Sequence, residues 1–257
     1  MVLAVDIGNT NVVVGCFIGE EIRSLGRLAT NRGATELEYS VQIRNLLKLN
    51  EMTPEGFEGA IVCSVVPAVT DVMYEAVKLL TGKPVMVVGP GLKTGLKINI
   101  DNPAQLGADR VADAVAAMNE YPLPLITIDM GTATTIGVVD ESGTFIGGMI
   151  VPGVMVSLNA LSGGASQLPH IALEPPRQPI GRNTVDCMRS GIIYHNAAGV
   201  DGMISRIEGQ LGRPCTVVVT GGLSGAIIPY CTHEMICDPD LLLKGLRVIY
   251  RKNSGKR

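Results

Sequence analysis

The stretch Ala4-Val5-Asp6-Ile7-Gly8-Asn9-Thr10-Asn11-Val12-Val13-Val14-Gly15 decides how this chain is read. An apolar run ends in an acid, a glycine and small polar residues, and a second β-branched run follows. β-Branched residues favour extended backbone, while Gly and Asn favour tight turns, so the pattern predicts a β-hairpin. It returns 123 residues later as Thr127-Ile128-Asp129-Met130-Gly131-Thr132-Ala133-Thr134-Thr135-Ile136-Gly137-Val138. Solenoid repeats recur about every 20–50 residues, so a single echo near half the chain length indicates a duplicated domain. The halves are expected at residues 1–115 and 116–257.

Each half continues alike. Third strands are expected near residues 21–28 and 143–150. Residues 35–49 carry Leu37, Val41, Ile43, Leu46 and Leu47 at helical spacing. A buried strand over 59–66 ends at Pro67, and a helix over 71–80 and a strand over 85–88 follow. In the second half, helices are expected over 156–161 and 186–211, and a strand over 217–220 ends in Gly221-Gly222. The order is βββαβαβα, twice, which implies an α/β fold with a central mixed sheet in each half. The basic tail, 251–257, lacks an apolar period and is expected to fray.

The 257 residues are 46% apolar and 18% charged, enough for a core and too few charges for a disordered chain. A net charge of −3 gives no electrostatic case for nucleic acid or an anionic membrane surface. Three Phe, six Tyr and no Trp leave few platforms for stacking bases. Cys16, Cys63, Cys187, Cys215, Cys231 and Cys237 form no C-x-x-C pair, and several sit in apolar runs, so free thiols in a reducing compartment are expected. Met1 leads directly into the first strand with no basic signal region, and the apolar runs break before the ~20 residues of a membrane span. A cytoplasmic location with no membrane and no nucleic-acid partner is expected.

The Asp-x-Gly turns suggest chemistry. Gly8 removes a side chain, so the backbone N–H groups that follow can approach an anion, and Asn9, Thr10 and Asn11 add side-chain donors. Asp6 sets a carboxylate at the strand end, where it can hold a cation through water. One such turn alone reads better as a plain hairpin turn; two copies, one per half, reverse that and favour a polyphosphate held at both ends. Thr220-Gly221-Gly222 either ends a strand or lets backbone lie against a nucleotide. Gly147-Gly148-Met149-Ile150-Val151-Pro152-Gly153 either ends a strand with backbone close to a neighbour or is only a tight turn in the domain core. Asn102-Pro103 reads as the start of an alanine-rich helix carrying Gly107-Ala108-Asp109-Arg110. Asp109 is either a general base or an acid favoured by the helix dipole, and Arg110 either binds an anionic group or pairs with Asp113. Thr184 is either a helix cap or a ligand contact. His170 and His195 show no ligand spacing and read as structural.

Taken together, Asp6-x-Gly8-Asn9-Thr10, Gly107-Ala108-Asp109-Arg110, Asp129-x-Gly131-Thr132-Ala133-Thr134-Thr135, Gly148-x-Ile150-x-Pro152-Gly153 and Thr220-Gly221-Gly222 resemble the type III pantothenate kinases over essentially the whole chain. These belong to the superfamily of sugar kinases, actin and heat-shock chaperones. The resemblance implies a duplicated ribonuclease H-like, actin-like ATPase fold with its active site in the cleft between the halves. It implies ATP-dependent phosphorylation of pantothenate to 4′-phosphopantothenate, the first step of coenzyme A biosynthesis. ATP would be held by Asp6, Ile7, Gly8, Asn9, Thr10, Asn11, Val12, Val13 and Thr132. Asp6 would carry Mg²⁺ through water, and Asp129 a monovalent cation, K⁺ or NH₄⁺. Gly107, Ala108, Asp109 and Arg110 would line the pantothenate pocket, with Asp109 as general base. Thr184 would reach pantothenate from the partner subunit of a homodimer. The tyrosine usual before Asp-Asn-Pro in the family is Ile100 here. Two other readings are another kinase of the superfamily, acting on a sugar or acetate, and a non-catalytic nucleotide-binding regulator.

Overall fold

The hairpins form where the sequence puts them. In the computed structural model, which describes residues 1–255, β1 (Val2–Ile7) pairs antiparallel with β2 (Asn11–Ile18). β2 continues antiparallel into β3 (Glu21–Ala29), with a bulge at Val14/Gly15. α1 (Glu36–Leu49) follows, then β4 (Gly59–Ser64), α2 (Pro67–Thr81) and β5 (Val85–Val87). β4 runs parallel to both β1 and β5, so the sheet order is β3-β2-β1-β4-β5. Leu3, Val5 and Ile7 of β1 are fully buried against this sheet's core, each stabilising the fold by roughly 1.5–3 kcal/mol relative to exposure.

After a short strand β6 (Lys97–Ile98), a 3₁₀ turn (Pro103–Gln105) and α3 (Ala108–Glu120), the pattern starts again. β7 (Leu125–Met130), β8 (Ala133–Val139) and β9 (Thr144–Pro152) form the second meander. α4 (Val154–Gly164), α5 (Thr184–Leu211), β10 (Thr216–Thr220), α6 (Ser224–Ile227), β11 (Ile236–Cys237) and α7 (Leu241–Asn253) complete the chain. The second sheet reads β11-β10-β7-β8-β9-β6. Without the added edge strand β6, the two sheets have the same order and the same parallel and antiparallel pairings. That is the duplication expected of a ribonuclease H-like fold.

The echo is not residue for residue. Asp6 lies opposite Val13, whereas Asp129 lies opposite Thr135, so the second hairpin is one residue tighter.

Helix entry explains several boundaries. α1 starts with a complete capping box: Thr35 accepts from the Glu38 N–H, and Glu38 accepts from the Thr35 N–H at 2.7 Å. Its buried face is Tyr39, Ile43 and Leu47, and Leu37 and Val41 point outward, so the apolar stripe is narrower than its spacing suggests. α2 begins at Pro67, four residues before the expected start, because proline at the first helical position gives up an N–H that would be orphaned anyway. Asn102 caps the 3₁₀ turn, accepting from the Ala104 N–H at 3.2 Å, and α3 begins separately at Ala108.

Contacts divide the chain differently from a single cut after residue 115. One unit holds Met1–Leu96, Asp101–Asn119 and Asp240–Arg257; the other holds Lys97–Ile100 and Glu120–Pro239. The reason is α7. Its buried Leu241, Leu243, Leu246, Ile249 and Tyr250 pack on β1, β2 and β4 of the first unit. Gly245 lets α7 approach α3, where a β-carbon would lie 2.0 Å from the Ala112 carbonyl oxygen. The tail therefore does not fray from residue 251 as expected. Arg251 and Lys252 are helical, and Arg251 and Arg247 both pair with Glu20. Residues 256 and 257 lie outside the described residues.

Candidate active site

In the first unit, Asp6 is the penultimate residue of β1. It sits opposite Val13 of β2 and beside Cys63 of the parallel strand β4. The Gly8 N–H donates to the Asn11 carbonyl at 3.0 Å, closing a turn whose Asn9, Thr10 and Asn11 are exposed. Ile7 and Val12 are fully buried, and Val13 of β2 is half-buried. The turn is braced from outside. The Thr30 hydroxyl donates to the Gly8 carbonyl at 2.7 Å, and the Thr30 N–H donates to the Thr10 carbonyl at 3.0 Å. Arg32, in the same bracing loop, donates to Asn9 Oδ1 at 3.4 Å.

Gly107-Ala108-Asp109-Arg110 opens α3 in the same unit. Asp109 Oδ1 accepts from the Arg110 N–H at 2.7 Å, one of the donors the helix leaves unpaired in its first turn. The carboxylate rests on Gly107: a β-carbon there would lie 2.4 Å from Oδ1. Burial raises the Asp109 pKa, while the Arg110 N–H and guanidinium pull it back. Burial also lowers the Arg110 pKa, and Asp109 opposes that. A carboxylate shifted upward toward the working pH is suited to accept a proton.

Asp6 and Asp109 are far apart in sequence, yet both act on one buried group. The Cys63 thiol is fully buried and held well above its ordinary pKa by burial, then by the charges of Asp6, Asp109 and Asp113. Asp113 lies one turn beyond Asp109 on α3 and is itself buried. The fold thus gathers a strand-end aspartate, a helix-start aspartate and a buried third acid. Neither Asp113's burial nor the exposure of Cys63 to the charges of these acids was legible in the sequence: the first depends on how α3 is seated, the second also on the pairing of β1 with β4.

The second unit holds the other set. Asp129 is the penultimate residue of β7 and lies beside Thr220 of β10, as Asp6 lies beside Cys63. Gly221 follows in left-handed backbone (φ 94°), and a β-carbon there would lie 2.4 Å from Asp129 Oδ1. The Gly131 N–H donates to the Ala133 carbonyl at 3.1 Å, which leaves Thr132 exposed at the tip of the turn. Gly153 backs this turn: its β-carbon would fall 2.3 Å from the Thr132 carbonyl oxygen. Gly153 and Gly221 are thus close-approach positions at the second turn, whereas Gly147 has open space where a β-carbon would lie, so the close approach expected of 147–153 rests on Gly153. Gly148, Ile150 and Pro152 alternate onto the exposed face of β9.

Thr184 is the first residue of α5 and is exposed. The cap is Asn183, whose side chain accepts from the Asp186 N–H at 2.9 Å, so capping does not account for Thr184. The second unit also has an apolar cavity of about 240 Å³ lined in part by Met130, Thr134, Pro152 and His195, a feature without a sequence signal. Among the described residues there is no cluster of three or more His, Cys, Asp or Glu side chains arranged for a metal, and no helix is long and apolar enough to cross a membrane.

The family model for type III pantothenate kinases matches residues 2–206. A type III pantothenate kinase of Moorella thermoacetica is 40% identical over 254 residues, covering 99% of this chain and 100% of the relative. One from Exiguobacterium sibiricum is 42% identical over 254 residues, covering 98% and 100%. Among solved structures, a Campylobacter jejuni protein assigned to the Baf family of transcriptional activators superposes with a TM-score of 0.62 at 17% identity, covering 98% of both chains. A Porphyromonas gingivalis protein assigned as an N-acetylglucosamine kinase superposes with a TM-score of 0.51 at 14% identity, covering 98% and 99%. At such low identity these two likenesses bear on the fold alone.

Proposed function

Because this chain belongs to the type III pantothenate kinases, a family that phosphorylates pantothenate with ATP in coenzyme A biosynthesis, we propose that Asp109 is the general base of that reaction and that the two Asp-x-Gly turns bind the triphosphate. The observation that carries the assignment is the Asp109 carboxylate itself: half-buried and resting on Gly107, shifted upward by desolvation, and acting with the strand-end Asp6 on the Cys63 thiol.

Phosphoryl transfer requires positioning and charge neutralisation more than covalent chemistry. The exposed turn at residues 8–11 offers Asn9, Thr10 and Asn11 to the phosphates, with Asp6 behind it. Thr132 offers a hydroxyl from the second turn, and the close approach of Gly153 and Gly221 keeps that turn's backbone uncovered by side chains. Asp109 accepts the proton of the pantothenate hydroxyl as it attacks the γ-phosphorus. Pantothenate is an anion, and the half-buried Arg110 beside Asp109 is the cation placed to pair with its carboxylate. Gly107 and Ala108 complete that wall of the pocket.

The donor set suits the expected ions. Asp6 offers a single strand-end carboxylate, in keeping with Mg²⁺, which retains waters and is completed by phosphate oxygens. Asp129 stands against the Gly221 backbone, a carboxylate with close main-chain neighbours that suits K⁺ or NH₄⁺. When bound, the ions would neutralise the phosphate charge that the side chains leave. We also propose a homodimer in which Thr184, exposed at the start of α5 and free of a capping role, completes the partner's pantothenate site.

The test is a coupled ADP-release assay with ATP, Mg²⁺ and pantothenate, run in potassium and again in sodium. Pantothenate-dependent turnover that requires potassium supports the reaction and the Asp129 site together. Turnover indifferent to the salt removes the cation role of Asp129, and absence of turnover in both removes the substrate assignment.

A further inference from the structure

The turn at residues 8–11 contains no lysine or arginine, although a triphosphate brings several negative charges to it. A cation is supplied from elsewhere in the chain. Arg32 lies in the loop after β3, is exposed, and places its guanidinium 3.4 Å from Asn9 Oδ1 on the turn itself. That contact is long for a hydrogen bond, to a neutral acceptor, and therefore easily exchanged. Among the described residues Arg32 has no carboxylate partner.

The loop carrying it is held in place. Thr30 makes two hydrogen bonds to the turn, to the Gly8 and Thr10 carbonyls. The fully buried Tyr39 accepts from the Asn31 N–H at 2.9 Å and donates to the Asn31 carbonyl at 3.1 Å. Asn31 Oδ1 in turn accepts from the Gly33 N–H at 3.0 Å. Both residues flanking Arg32 are thus fixed relative to the turn, and only its own side chain is free to reorient. A guanidinium so mounted presents several donors to a phosphate at little cost in loop ordering.

We propose that Arg32 is a phosphate-binding residue of the nucleotide site: its guanidinium leaves Asn9 and pairs with oxygens of the polyphosphate seated on the first turn. This rests on the assignment of that turn to ATP. A charge-assisted pair of this kind predicts that Arg32→Ala raises the KM for ATP about tenfold, with the KM for pantothenate changed less than about twofold. Because Arg32 is exposed, the fold should be unaffected, which a thermal melt checks.

The experiment uses the full chain and measures ATP kinetics together with direct binding of ATP and inorganic tripolyphosphate to wild type, Arg32→Ala, Arg32→Gln and Arg32→Lys. Gln keeps a donor for Asn9 but no charge; Lys keeps the charge but not the fork. The proposal expects Gln to behave as Ala, Lys to recover part of the affinity, and tripolyphosphate to weaken with ATP. Wild-type affinity in Arg32→Gln would show that Arg32 only orients Asn9 and would overturn the proposal. Unchanged binding in all three variants would overturn it while leaving the turn assignment standing. Failure of the wild type itself to bind ATP or tripolyphosphate would overturn the turn assignment and this proposal with it.

Discussion

Replacing Asp109 by Asn separates a catalytic from a structural role. The amide keeps the size of the carboxylate and an oxygen for the Arg110 N–H, now 2.7 Å from Oδ1. What it loses is the ability to take a proton. A positioned general base is worth about 10²–10⁴-fold, so kcat should fall by that factor, and the KM for ATP should move little. Stability should respond differently. The folded-state pKa of Asp109 is raised, so the fold disfavours its ionised form; stability is lost as pH rises through the unfolded value toward the folded one, and is not regained above it. Asn is neutral at every pH and removes that loss. The Arg110 guanidinium, half-buried, loses its neighbouring charge and opposes the gain. These opposed effects should leave Tm within about 4 °C of wild type. The ADP-release assay and a thermal melt read the two quantities on one preparation. In wild type, kcat/KM should fall at acid pH with a midpoint above the ordinary aspartate range, and the residual activity of Asp109→Asn should lack that limb. A variant with kcat within about tenfold of wild type and an unchanged Tm would refute the base assignment. Loss of activity accompanied by a Tm fall of more than about 10 °C would show that Asp109 supports the fold instead.

Gly107→Ala should push the Asp109 carboxylate from its seat, since the new β-carbon meets Oδ1 at 2.4 Å; kcat should drop more than tenfold, about 1.4 kcal/mol of barrier, with the melt little changed. Gly245→Ala should act oppositely, forcing α7 from α3 against the Ala112 backbone and costing about 1–3 kcal/mol or more, seen as a lower Tm and loss of activity in proportion to unfolding. Mass spectrometry after brief alkylation should find Cys187 and Cys237 modified first, because they are exposed. Cys63 should stay unmodified until the protein unfolds, and early labelling of it would contradict the packing around Asp6.

Much of this protein is local and therefore readable along the chain. Hairpin turns are set by Gly, Asn and Thr within a few residues, so both Asp-x-Gly turns and the repeated strand order could be seen in the sequence. The Thr35–Glu38 capping box is equally local, and so is the pairing of motifs that marks the family. Tertiary packing decided the rest. α7 joins the first unit because an apolar stripe can be covered by any complementary sheet, whatever its distance in sequence. Arg251 is helical and pairs with Glu20, more than two hundred residues earlier in the chain. The one-residue tightening of the second turn depends on register, which an echo of residue types does not specify. The same holds at the site. Sequence named Asp6 and Asp109 by motif, but only the parallel pairing of β1 with β4 and the seating of α3 bring both to Cys63, and only the loop after β3 lays Arg32 against Asn9. Turn chemistry is written in neighbouring residues; the meeting of charges across strands and helices is set by how the whole chain buries its apolar surface.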